Sequence, residues 1–117
     1  MKKVVIDLDG TLTIEEARDY KDKCPNYDVV EVCREYKKKG FEIIIATSRN
    51  MRTYTGDMGK INAYTLPGIV EWLKKNDVPF DGIYVGKPWC GFDGFYVDDK
   101  AIRPSEFVSH SYEEIVG

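Results

Sequence analysis

Histidine is nearly absent from this 117-residue chain, and cysteine is scarce. His110 has no Cys or His neighbour at ligand spacing, so it is expected on the surface and not in a catalytic role. Cys24, Cys33 and Cys90 are odd in number and include no C-x-x-C pair, which excludes a disulfide framework and a zinc site as working assumptions. A net charge of only -3 argues against nucleic acid or an anionic membrane as the partner. No apolar run approaches a membrane span. The apolar stretch after Met1-Lys2-Lys3 is far too short for a signal-peptide core, so a cytoplasmic protein is expected. Repeats, low-complexity tracts and linkers are also missing.

What is present suits one compact domain over residues 1–117. Hydrophobic residues make up 43% and aromatics 13%, enough to form a core. Residues 3–8, rich in β-branched side chains, read as a buried strand ending at Asp7-Leu8-Asp9-Gly10. Residues 11–25 are polar and end in Cys24-Pro25, the pattern of a loop or small flap. Val29, Val30, Cys33 and Tyr36 share one face of a helix over 27–39. Lys37-Lys38-Lys39 and then Gly40 suit its C-terminus. Residues 41–47 form a second strand, followed by a long polar loop over 48–64. A helix is expected from a Thr65 cap, with Pro67 in its first turn, to Lys75; Ile69, Val70 and Leu73 form its apolar face. Strands follow at 82–85 and 94–98, and a short helix near Tyr112–Val116. Strands alternating with helices predict an α/β fold: a Rossmann-like parallel sheet sandwiched by helices, with its site beyond the carboxyl ends of the strands.

That edge is where the suspicious residues fall. Asp7 and Asp9 follow the first strand, Thr47 ends the second, Lys87 trails the third by a turn, and Asp98-Asp99 end the last. Gly10 allows the backbone to bend and to approach a ligand closely. Four carboxylates facing one lysine cannot all stay ionised in a low dielectric without a cation. An all-oxygen site of this kind suits Mg2+. Thr47 offers a hydroxyl and Lys87 a fixed charge to a phosphoryl group. Two rival motifs fail on spacing. Counted from Asp7, an EF-hand would need Gly and Glu where Leu12 and Arg18 stand. The Gly82–Lys87 stretch is one residue short of a P-loop, with Pro88 in place of Ser or Thr. A receiver domain also uses Asp, Thr and Lys on a parallel sheet, but with its phospho-acceptor Asp on the third strand, and no acid follows Val85.

In this order the residues resemble the haloacid dehalogenase (HAD) superfamily. Asp7-Leu8-Asp9-Gly10-Thr11-Leu12-Thr13 resembles its first motif, Thr47 the second, Lys87 the third and Asp98-Asp99 the fourth. Residues 47–53 and 86–104 more closely resemble the small phosphatases of bacterial capsule-polysaccharide loci, with Lys100 where that group has Arg. The resemblance implies that Asp7 attacks phosphorus and forms an aspartyl-phosphate, while Asp9 acts as acid and then base. An acid role asks for a raised Asp9 pKa, which neighbouring carboxylates are expected to supply. It further implies Mg2+ on Asp7, the backbone carbonyl of Asp9, and Asp98, with Asp99 bound through water or orienting Lys87. Thr47, Lys87 and backbone N–H groups near Leu8 and Asp9 would hold the phosphoryl oxygens. The segments between motifs leave no room for a separate cap domain.

The implied activity is phosphomonoester hydrolysis of a small phosphorylated substrate, a sugar phosphate or related precursor of surface polysaccharide. Arg49, Arg52, Tyr54 and Trp89 are the candidates for substrate choice, with Lys60 and Tyr64 beside them in or near loop 48–64. An open, capless pocket also suits closure by a homo-oligomer. A phosphotransferase or mutase using the same aspartyl-phosphate, and a non-catalytic protein of the same fold, are the alternatives; the presence of both Asp7 and Asp9 disfavours the last.

Overall fold

The computed structural model describes residues 2–16, 18–86 and 90–117. The β-branched run opens the chain as strand β1, Lys3–Asp7. A kinked turn, Leu8–Leu12, follows, with non-helical dihedrals at Asp9 and Gly10, and then an antiparallel bridge between Thr13 and Pro25 closes the base of the flap. Helix α1 spans Tyr27–Lys38, and strand β2 Glu42–Thr47. Helix α2, Met58–Lys60, runs through a π turn at Ile61–Thr65 into α3, Leu66–Lys75. Strands β3, Gly82–Val85, and β4, Phe95–Val97, complete the sheet, and short helices α4, Pro104–Ser109, and α5, Tyr112–Val116, follow.

The four strands form one parallel sheet in the order β3-β2-β1-β4. Parallel pairing forces crossover connections, and α1 and α3 supply them. Val30 and Cys33 of α1 and Ile69, Trp72 and Leu73 of α3 pack on Val4, Ile6, Ile43 and Ile45 from one face of the sheet. Val5 and Ile44 point the other way, against Cys90. This is the expected α/β architecture, without a separate cap.

The α1 terminus follows its sequence closely. The Gly40 N–H donates to Lys37 O (3.0 Å) and the Phe41 N–H to Tyr36 O (3.1 Å). That is a Schellman closure, with Gly40 at φ +91°. Phe41 then packs edge-on against Tyr36, their ring centroids 5.0 Å apart.

Two expectations fail in the second crossover. The stretch 48–64 is not loop throughout, because helix starts at Met58, capped by the Asp57 carboxylate accepting from the Lys60 N–H. Thr65 is not a cap; it has helical dihedrals and makes no side-chain capping bond. The helix can run up to Pro67 because the π turn precedes it: the Leu66 N–H bonds back to Ile61 O, so the register shifts before the missing proline donor matters. The buried face of α3 also uses Trp72 where Val70 was expected, since the Trp72 indole N–H reaches Lys23 O (2.9 Å) and ties the flap to the helix.

Candidate active site

Strand register builds the site. Asp7 pairs with Ala46 at the end of β1, and Val97 pairs with Ile6, so Asp98 and Asp99 leave the sheet beside Asp7. Carboxylate oxygens of Asp7, Asp98 and Asp99 all lie within 4.8 Å of one another. Gly10 makes room for this. Its φ is +85°, and a Cβ there would stand 2.3 Å from Asp99 Oδ2. The cluster is costly as it stands. Burial, a hydrogen bond that the protonated Asp7 carboxyl donates to Asp99, and the charges of Asp98 and Asp99 push the Asp7 carboxyl up to about 7, against a smaller opposing pull from the Leu8 N–H. Thr11 Oγ1 also donates to Asp7 Oδ2, at 3.4 Å.

These three acids fit a divalent cation. All donors are oxygen, they converge from two chain segments, and an added positive charge would remove the repulsion that raises Asp7. Asp7 and Asp98 line both of two adjoining depressions, of ≈ 200 and ≈ 380 Å³.

The side chain of Asp9 does not join them. It lines the larger depression but is gripped by Arg49, whose Nε donates to Oδ2 (3.0 Å) and whose NH2 donates to Oδ1 (2.7 Å). Lys23 Nζ lies 3.4 Å from Oδ1 and 3.0 Å from Glu15 Oε1. Burial alone would raise the Asp9 carboxyl, but the Arg49 and Lys23 contacts outweigh it and hold it below the ordinary carboxylate value. The raised pKa expected of Asp9 is therefore overturned: it faces cations, not carboxylates.

Arg49, a candidate for substrate choice, lines a cavity with Tyr54, but its guanidinium is engaged inside the protein. Its side chain is only 4% exposed, committed to Asp9 and covered by the Tyr20 ring at 4.0 Å. Arg52 is exposed, as expected of a loop residue. Tyr54 shares a cavity of ≈ 230 Å³ with Tyr20, Asn50 and Tyr64.

Thr47 is buried at the site, where its Oγ1 accepts from the Arg49 N–H (3.0 Å), leaving the hydroxyl proton to donate elsewhere. Lys87 and Trp89 lie outside the described residues. Sequence reasoning missed Ser48, which lines both depressions; its position next to Thr47 at a strand end was the available signal. It also missed Lys23, for which no local pattern exists, and Lys100 as a lining cation of the larger depression.

The sequence profile of haloacid dehalogenase-like hydrolases matches residues 4–71, which include all but the first residue of β1, the flap, α1, β2 and most of α3. The chain belongs to that family. A crystallographic structural-genomics target from Vibrio cholerae is 61% identical, with a TM-score of 0.73 over 99% of this chain and 94% of that one. Two more distant likenesses bear on the HAD fold alone. One is a chain of a Pnkp1/Rnl/Hen1 complex, 22% identical, TM-score 0.55, covering 92% of this chain and 34% of that one. The other is D,D-heptose 1,7-bisphosphate phosphatase from B. bronchiseptica, crystallised with magnesium and phosphate: 16% identical, TM-score 0.50, covering 78% and 54%. Comparison with curated proteins returns no match. Among the described residues of this HAD-like hydrolase, no helix is long and apolar enough to cross a membrane.

Proposed function

We propose that this HAD-like hydrolase is a Mg2+-dependent phosphomonoester hydrolase working through an aspartyl-phosphate on Asp7. The observation that carries the reading is the convergence of Asp7, Asp98 and Asp99 at the carboxyl edge of the sheet. Asp7, Asp98 and Asp99, directly or through water, would hold the ion. Bound there, magnesium would neutralise charge on the transferring phosphoryl group.

The residues divide the remaining work. An Asp7 oxygen attacks phosphorus as the ester P–O bond breaks, and the leaving oxygen takes a proton. Water then attacks the aspartyl-phosphate, losing a proton to Asp9 and releasing inorganic phosphate and the free Asp7 carboxylate. Arg49 and Lys23 keep Asp9 ionised, which suits this second half-reaction. Protonating a leaving oxygen is the step they oppose, so Asp9 must acquire a proton once phosphate charge enters the site. The Thr47 hydroxyl, Ser48, the Leu8 N–H and Lys87 are the proposed phosphoryl donors.

The substrate is proposed to be a small phosphorylated sugar or related precursor used in capsule or other surface-polysaccharide synthesis, by a cytoplasmic enzyme. The sequence resemblance to that phosphatase group supports the pathway. Exposed Arg52 and the Tyr54–Tyr64 pair, with ring centroids 6.1 Å apart, support recognition of a polar ring.

Release of inorganic phosphate from a panel of sugar phosphates and nucleotides, with magnesium and with chelator, tests the proposal. Activity is expected only with the metal, and Asp7→Asn is expected to lose at least about a thousandfold in kcat/KM. Equal turnover by Asp7→Asn would rule out the nucleophile.

A further inference from the structure

After β4 the chain runs Ala-Ile-Arg-Pro-Ser-Glu-Phe-Val-Ser-His-Ser-Tyr-Glu-Glu-Ile-Val-Gly over residues 101–117, and every one of these residues is exposed. They are not a polar tail. Phe107 is 71% exposed, Val108 85% and Tyr112 73%, and Ile102, Ile115 and Val116 are exposed with them. On α5, Tyr112, Ile115 and Val116 fall on one face at i, i+3 and i+4. The segment is nevertheless helical, as α4 of six residues, opened by the Arg103 N–H donating to Glu106 Oε1, and α5 of five, opened by a Ser111–Glu114 capping box. Helices this short do not persist in water on propensity; packing of an apolar face is what stabilises them. The molecule is correspondingly extended, with a radius of gyration of 14.9 Å. A compact chain of this length would have about 13.4 Å.

The same chain carries an apolar groove of ≈ 390 Å³ between α1 and the edge strand β4, lined by Val29, Val32, Cys33, Tyr36, Phe95 and Val97, with Asp28 from the first turn of α1 also in the lining. Val32 is 48% exposed and Phe95 39%. Tyr36 and Phe95 meet edge-on at one end, their centroids 5.7 Å apart, and Lys39 Nζ rests 5.1 Å over the Tyr36 ring. Lys38 stands next to it in sequence, while Lys37 is engaged by the Asp81 carboxylate; the tail carries Glu106, Glu113 and Glu114 against Arg103 alone. An apolar, acidic segment and an apolar groove with Lys39 at one end of α1 and Asp28 at the other thus lie on one chain, and the tail residues remain exposed.

We propose that the α4–α5 tail of one copy docks in the α1–β4 groove of a second, forming a two-fold dimer by exchange of C-terminal segments. Each copy offers one tail and one groove, and reciprocal exchange about a two-fold axis closes the contact at two chains. Two symmetric contacts share the burial, and each needs only about half of the ~1,600 Å² typical of a stable interface. Docking also covers the side of edge strand β4 that faces the groove, limiting open-ended strand pairing.

Sedimentation velocity across a dilution series tests this with the full chain and two substitutions at exposed sites, Val32→Asp in the groove and Phe107→Asp in the tail. Wild type is expected at twice the chain mass, and each variant at half the wild-type mass, with circular dichroism reporting that both remain folded. A wild-type monomer overturns the proposal, including the case of a tail seated on its own groove. So does a dimer that survives either substitution.

Discussion

Asp7 and Asp9 are two residues apart and have opposite electrostatics. Asp7 sits among Asp98 and Asp99 and is pushed up; Asp9 sits on Arg49 and Lys23 and is held down. This separation bears on which substrates need Asp9 most. An alkyl alkoxide is a poor leaving group and requires a proton from Asp9; a nitrophenolate departs without one. Asp9→Asn is therefore expected to slow hydrolysis of a sugar phosphate by about 10²–10⁴, in the range general acid–base catalysis supplies. With p-nitrophenyl phosphate, burst kinetics should show Asp7 still phosphorylated rapidly while release of inorganic phosphate slows. Equal losses in the burst for both substrates would contradict the acid role. The first acidic motif was legible because a D-x-D-G run directly after an apolar strand is costly unless it serves a charge. The Asp9 partners were not, since Lys23 and Arg49 lie 14 and 40 residues away.

Secondary-structure elements owe their ends to local chemistry, and those were readable where the signal is local. Lys37-Lys38-Lys39-Gly40 announces the end of α1, and the structure closes it there. Gly40→Ala should cost about 1–2 kcal/mol, the penalty of placing a Cβ in the left-handed region. No atom lies within 4 Å of that Cβ, so the cost is backbone alone. Urea denaturation should show a lower midpoint with an unchanged slope. A midpoint equal to wild type would mean that the turn tolerates another conformation. The start of the second crossover was misread for a physical reason. Pro67 marks a helix start only when normal i→i−4 bonding precedes it, and the π turn at Ile61–Thr65 lets helix begin at Met58. Nothing in the local composition distinguishes those cases.

At the scale of the whole molecule, the acidic cluster links metal binding to stability. Between the ordinary Asp value and about 7, the folded chain holds a proton on Asp7 that the unfolded chain has released. For this group, stability therefore falls as pH rises through that window, and the loss is complete above about 7. Magnesium requires the ionised cluster, so the Tm gain it confers should be larger at about pH 8 than at about pH 6. Asp7→Asn should raise the metal-free Tm at the higher pH and flatten the pH dependence of the gain. Differential scanning calorimetry in magnesium and in chelator measures both, and a gain independent of pH would remove Asp7 from the metal set.

By itself the amino-acid sequence determined the parallel α/β arrangement, the strand ends at which acids appear, and the resemblance that family membership bears out. Those properties depend on periodicity, β-branched runs and short motifs, which are local. The tertiary structure alone decided that Asp98 and Asp99 close on Asp7 while Asp9 turns to Arg49 and Lys23. It alone left the α4–α5 tail outside the core. Such outcomes depend on which distant segments meet, and electrostatic pairing and apolar burial are settled only once the sheet has brought them together.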